Sequence, residues 1–189
     1  MYKAIIFDFF GVVVSDMYID WINKNNLGHL IPDLKENYFK KTDTGEISAS
    51  ELHSYLAGLV NKSVLQVEVE LKSFLIINNE LVDFIKTIKP KIKIALCSNA
   101  PTDFVEDFLK ESNLDVLFDE VVISSKLGTR KPDAAIFDKT VELLGVDAME
   151  VIFVDDTLEN IESASILGIK SILFTDFKSF EKDLFGFTL

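Results

Sequence analysis

The sequence predicts an α/β fold, a doubly wound parallel sheet with a small all-helical segment inserted after the first strand. Three features carry that expectation. Short, unbroken apolar runs recur at 92–97, 121–123, 151–154 and 171–174, as suits strands buried on both faces. Helical patterns separate them, at 104–110, 134–144 and 158–167, and strand alternating with helix implies βαβ units. The stretch from about 15 to 79 differs, with helix patterns at 17–26, 33–41, 50–61 and 64–75 and no convincing strand.

The first strand is read from the apolar residues at 3–7 and 12–14, which flank Asp8-Phe9-Phe10-Gly11. Gly11 allows a tight backbone turn there. Within the helical segment, Thr44-Gly45 is a turn signal. Ser48-Ala49-Ser50-Glu51 then has the form of a capping box opening the third helix. With 189 residues there is room for one ordinary domain and a modest insertion. Apolar residues make up 48% of the chain, enough for a packed core, and sixteen Phe against one Trp imply that Phe fills much of it.

The formal charge of −12, with no basic run, argues against a nucleic-acid partner, which needs clustered Lys and Arg. It also means that capture of an anionic substrate must be local. The single cysteine, Cys97, excludes an internal disulfide and fits a reducing cytoplasm. Its apolar neighbours mark it as a buried structural thiol. The N-terminal apolar stretch is interrupted by Asp8 and lacks a small-residue cleavage site. No apolar run approaches the roughly 20 residues of a membrane span. The expectation is a soluble cytoplasmic protein.

Ligands of open parallel sheets bind outside the carboxyl ends of the strands, so the polar residues that end each run matter most. These are Asp8, the pair Ser98-Asn99, Lys131 in the loop after the third run, and the pair Asp155-Asp156. A carboxylate such as Asp8 can attack phosphorus. Two or three carboxylates can hold Mg²⁺ while leaving positions for phosphate oxygens and water. A Lys and a hydroxyl can bind the remaining oxygens as charge develops.

At these residues the chain resembles the haloacid dehalogenase superfamily, from Ile5 to about Thr175. Four motifs stand in order: Phe7-Asp8-Phe9-Phe10-Gly11-Val12, Leu96-Cys97-Ser98-Asn99, Arg130-Lys131-Pro132-Asp133 and Phe153-Val154-Asp155-Asp156-Thr157. Asn160 and Gly168 also fall where that family often has them. The resemblance implies a Rossmann-like core, residues 1–14 and 80–189, with residues 15–79 as a small helical cap. The segment Thr44-Gly45-Glu46-Ile47-Ser48 looks like one common in caps of the epoxide-hydrolase-like phosphatase subgroup. It further implies a small phosphorylated substrate and Mg²⁺ held by Asp8, the Phe10 carbonyl and Asp156, with Asp155 in support. Asp8 would be the nucleophile that becomes an aspartyl phosphate. Ser98, the Asn99 backbone N–H and Lys131 would hold the transferring group.

One position departs from that pattern. Phosphatases of the family carry a second Asp two residues after the nucleophile, which protonates the leaving group and then activates water. Here it is Phe10, which does neither. Three readings follow: a phosphatase that is slow or favours acidic leaving groups, a Mg²⁺- and phosphate-binding module without turnover, and a 2-haloacid dehalogenase. The dehalogenase branch has Tyr at this position and uses an Arg from the cap, where this chain has none. Elsewhere, Asp133 reads as a helix cap, Arg130 as a loop-bracing or surface residue, and His29 and His53 as polar surface of the cap.

Overall fold

The computed structural model describes residues 1–187, with the backbone alone at Thr102 and Asp103. The last two residues of the predicted core segment lie outside the described residues. Five parallel strands form one sheet: β1 (Ala4–Phe7), β2 (Lys93–Ser98), β3 (Glu120–Ile123), β4 (Val151–Asp155) and β5 (Lys170–Leu173), in the order β3-β2-β1-β4-β5. The chain runs outward from β1 to β3 on one side and returns to β4 and β5 on the other. The strand order therefore reverses at β1, where a doubly wound sheet opens its ligand crevice.

The runs are apolar almost throughout because both faces of the central strands are covered; Lys93, at the exposed start of β2, is an exception. Ile5, Phe7, Ile94, Leu96, Ile152 and Val154 point to one layer, with α6 (Asn79–Ile88), α7 (Thr102–Glu111) and α11 (Phe177–Leu184). Ala4, Ile6, Ala95, Cys97, Val151 and Phe153 point to the other, with α9 (Ala134–Leu144) and α10 (Leu158–Ile166). Cys97 is fully buried there, and burial pushes its thiol up to about 11. That agrees with a structural thiol.

Between β1 and α6 the described residues contain helices and no strand. They are α1 (Met17–Lys24), α2 (Ile31–Leu34), α3 (Lys40–Thr44), α4 (Ala49–Val60) and α5 (Val64–Ser73). A π-helical turn, Lys35–Phe39, joins α2 to α3, so the expected 33–41 helix is one longer stretch with a wide turn inside it. The capping box at Ser48 is present, with Glu51 N–H donating to Ser48 Oγ and Ser48 N–H to Glu51 Oε2. Trp21, Met17, Ile22, Leu34 and Leu56, all fully buried, form a separate apolar cluster in this insertion. A short α8 (Ser124–Leu127) follows β3. Three helices, α6, α8 and α11, lie outside the helical patterns expected from the sequence.

Candidate active site

The strand ends converge on Asp8. Its N–H donates to the Val154 carbonyl at 2.9 Å, so pairing with β4 continues one residue past β1 and fixes Asp8 beside Asp155. The N–H groups of Val13 and Val14 both donate to the Phe9 carbonyl, closing the loop over Phe10-Gly11. Gly11 sits at φ +78°, and a Cβ there would lie 2.1 Å from Asp156 Oδ2. Only a residue without Cβ lets this loop approach Asp156. Gly11→Ala should therefore displace the Asp156 carboxylate, and a divalent ion held by this cluster would bind about 10–100-fold more weakly, as for other residues that position ligands. Isothermal titration with Mg²⁺ checks it; unchanged affinity would show that Asp156 does not need that position.

Lys131 is buried, 1% exposed, and its ammonium bridges Asp8 Oδ1 and Asp155 Oδ2, each at 2.7 Å. Its backbone is fixed by a reciprocal pair with Asn99: Lys131 N–H donates to Asn99 Oδ1 at 2.8 Å, and Asn99 Nδ2 donates to the Lys131 carbonyl at 2.9 Å. Asp155 also accepts from the Thr157 N–H at 2.8 Å and from Asn160 Nδ2 at 3.0 and 3.1 Å. Both of its oxygens are thus occupied, and it braces Lys131 against the start of α10. Asp156, which lines the cavity described below, accepts a single bond among the described residues, at 3.3 Å from the Thr157 hydroxyl.

Carboxylate oxygens of Asp8, Asp155 and Asp156 lie within 4.8 Å of one another. Burial pushes the Asp8 carboxyl well up; Lys131 opposes the rise and Asp155 and Asp156 add to it. Asp156 is raised by burial and then by Asp155. Burial works against the Lys131 ammonium, but Asp155 and Asp8 outweigh it, so it stays charged. Fully ionised, the three carboxylates would exceed the one ammonium by two negative charges. All-oxygen ligands with that charge suit a hard divalent ion such as Mg²⁺. The Ser98 hydroxyl supplies a second sign of an incomplete site. It is fully buried at the end of β2, beside β1, and has no hydrogen-bond partner among the described residues. A buried polar atom left unpaired costs about 1–3 kcal/mol, so its persistence points to a ligand oxygen as the partner.

A cavity of about 290 Å³ opens above these residues, lined from the core by Asp8, Asn99, Lys131 and Asp156 and from the helical insertion by Asp16, Tyr18, Phe39 and Asp43. The structure thus brings Asp8, Asn99, Lys131, Asp155 and Asp156 together around one strand edge, with Ser98 buried at the neighbouring strand end. The space around Phe10 is filled by rings, with Phe9 at 4.9 Å, Phe104 at 6.1 Å and Tyr18 at 6.5 Å between centroids. Phe10 packs on both the core cluster and the insertion cluster.

Sequence reasoning missed the insertion's contribution. Arg130 Nε donates to Asp43 Oδ2 at 3.1 Å, joining the insertion to the loop that carries Lys131. Asp43 immediately precedes Thr44-Gly45, the turn signal already noted, but its partner lies 87 residues away. His53 is not surface: it is buried, with Tyr18 Oη 3.0 Å from Nε2 and Glu68 Oε1 3.2 Å from Nδ1. Those partners sit on neighbouring helices, out of reach of a local reading. Asp133 begins α9, but its carboxylate accepts from the Thr129 hydroxyl rather than capping the helix.

Comparison with known proteins agrees with this geometry. The drimenol cyclase drtB of Aspergillus calidoustus is 27% identical over 188 residues, covering 92% of this chain. This chain spans only 34% of that relative's length. The sesquiterpene phosphatase astK of Aspergillus oryzae is 26% identical over 183 residues, covering 93% of this chain and 91% of its own. The crystal structure of the HAD family enzyme bt-2542 from Bacteroides thetaiotaomicron, in complex with magnesium and inorganic phosphate, superposes with a TM-score of 0.77. The match covers 95% of this chain and 99% of that one at 21% identity. A family model for haloacid dehalogenase-like hydrolases matches residues 2–168, and the chain belongs to that family of hydrolases.

Proposed function

We propose that this hydrolase is a Mg²⁺-dependent phosphatase that acts on a small phosphorylated molecule through an aspartyl phosphate at Asp8. The observation that carries the reading is the unpartnered Ser98 hydroxyl, buried at the strand end next to a carboxylate cluster that, fully ionised, would lack two positive charges. A phosphoryl group with its cation supplies both an acceptor for that hydroxyl and the missing charge. The name of the relative astK and the magnesium and phosphate bound to bt-2542 support the same chemistry.

In this reading Asp8, Asp156 and the Phe10 carbonyl hold Mg²⁺, with Asp155 in support, and the ion when bound screens the phosphoryl oxygens from Asp8. Asp8 attacks phosphorus. Ser98 and the Asn99 N–H hold the transferring oxygens, and Lys131 orients Asp8 while neutralising charge that develops beside it. Residues 15–79 act as a cap over a core of 1–14 and 80–189, and the cavity between them limits the substrate to a small molecule. The only Arg, Arg130, lies in the core and pairs with the cap's Asp43, leaving no cap Arg for a haloacid carboxylate. We place the protein in the cytoplasm on its single buried thiol.

The test is phosphate release from 4-nitrophenyl phosphate and n-butyl phosphate with and without Mg²⁺. Ser98→Ala should lower kcat by about 10²–10³-fold, as for loss of one donor to developing charge. If the protein binds phosphate tightly with Mg²⁺ but turns over neither ester, it is a binding module and the enzymatic reading of this site fails.

A further inference from the structure

Resting on the phosphatase reading, we propose that Asp43 of the cap supplies the proton transfers that Phe10 cannot. Asp43 ends the last turn of α3 and lines the same cavity as Asp8. Its position is fixed from two sides. The next turn closes at Gly45, φ +78°, so close to the core that a Cβ there would lie 3.2 Å from the Ser125 carbonyl. Arg130, directly before Lys131, donates to Asp43 Oδ2 at 3.1 Å. One carboxylate oxygen is thereby anchored to the loop that carries the site's ammonium. The other, Oδ1, has no hydrogen bond among the described residues.

Two other proton-bearing groups that line the cavity, Asp16 and Tyr18, are engaged elsewhere. Asp16 caps α1, its Oδ1 accepting from the Ile19 N–H at 3.1 Å. Tyr18 is held by His53, and burial raises its phenol beyond useful acidity. The charged groups that act most on Asp43 are Arg130, Lys131 and Asp16; the Tyr18 phenol, Lys35, Lys40 and Glu159 line the same cavity, as do Asp8 and Asp156. Burial raises the Asp43 carboxyl to about 6; Arg130 and then Lys131 oppose the rise, and Asp16 adds to it. A carboxyl in that range is suited to give and take a proton near neutral pH.

The chemistry balances over two steps. Asp8 attacks phosphorus, the bond from phosphorus to the leaving oxygen breaks, and that oxygen takes the proton of Asp43 and departs as an alcohol. Water then attacks the aspartyl phosphate, the Asp43 carboxylate takes a proton from it, and the Asp8–phosphorus bond breaks. Inorganic phosphate leaves, with Asp8 ionised and Asp43 protonated as at the start.

Leaving-group dependence tests the proposal, because n-butanol needs the proton and 4-nitrophenol scarcely does. Asp43→Asn should lower kcat/KM for n-butyl phosphate by about 10²–10⁴-fold, the usual worth of a general acid. First-turnover release of 4-nitrophenol should stay within about threefold of the parent, read as a free-energy difference under 1 kcal/mol. It should appear as a stoichiometric burst, because the second step has lost its base. In the parent, kcat/KM for n-butyl phosphate should fall as pH rises through about 6 relative to Asp43→Asn, with substrate ionisation common to both. The double variant Phe10→Asp/Asp43→Asn should regain turnover of n-butyl phosphate, which separates loss of the acid from loss of folding. Undiminished turnover of n-butyl phosphate by Asp43→Asn overturns the proposal. So does an equal first-turnover loss on both esters, the mark of a residue that only seats the cap. If the parent releases phosphate from neither ester, the phosphatase reading itself has failed, and Asp43's role falls with it.

Discussion

Asp8→Asn is expected to reduce Mg²⁺-dependent phosphate release to background, a loss of about 10⁴-fold or more, as when a nucleophile is removed. The fold should survive. Asn keeps an oxygen where Asp8 Oδ1 accepts from the Phe9 N–H at 2.6 Å and from Lys131 at 2.7 Å. It also removes one of three mutually repelling carboxylates. Without metal, Asp8 holds its proton more tightly in the folded than in the unfolded chain, because burial raises it. Its contribution to stability is therefore full below the unfolded value of about 3.9 and lost as pH rises through the elevated folded value. Melting of the chelator-treated parent should show that decline, and Asp8→Asn should show a flatter one. Added Mg²⁺ should offset that decline, and more in the parent than in Asp8→Asn, because a bound ion stabilises the ionised cluster of the folded chain. A variant that still turns over aryl phosphates would remove Asp8 from the centre of the chemistry.

Lys131→Met should have the largest effect on stability, about 3–5 kcal/mol lost, the usual consequence of removing one partner from a buried ion pair. Met approximates the length of the Lys stem, so packing against Phe153, whose ring centroid lies 5.5 Å from the ammonium, is largely kept. What is lost is the only cation between Asp8 and Asp155, both buried. Urea unfolding of metal-free protein reads the loss. Adding Asp155→Asn to Lys131→Met should recover part of it, since one of the two stranded charges is then gone. A loss below about 1 kcal/mol for the single variant, the range of an exposed pair, would mean that water reaches the pair and that it is no anchor for the site.

Much of this architecture can be read from the sequence, for physical reasons that also explain what cannot. Strands buried on both faces must be apolar throughout, so β2 and β4 announce themselves as runs ending abruptly in Ser98-Asn99 and Asp155-Asp156. The same abruptness marks the site, because the polar residues that break a run stand where the sheet meets solvent. The capping box at Ser48 is equally local. Relations that join distant segments leave no such trace. Asp43 and Arg130 each look like ordinary surface charges until the insertion is laid over the core. His53 looks exposed until Tyr18 and Glu68 arrive from two other helices. The π-helical turn at Lys35–Phe39 keeps an apolar spacing close enough to an ordinary helix that nothing in the pattern separates them.

Phe10 has a mechanical consequence as well as a chemical one. Its ring is shared between the apolar cluster of the sheet and that of the helical insertion, stacked near Phe104 of α7 and edge-on to Tyr18 of α1. Any swing of the insertion away from the sheet must part these contacts and wet the ring, at a cost of up to about 1.5–3 kcal/mol for a side chain of this size. Under the proposed phosphatase reading, that energy would add to each admission of substrate and each escape of product. Phe10 thus pins the insertion to the sheet at the rim of the cavity, and in the proposed phosphatase parting that contact would be the slow event for esters whose leaving group needs no proton.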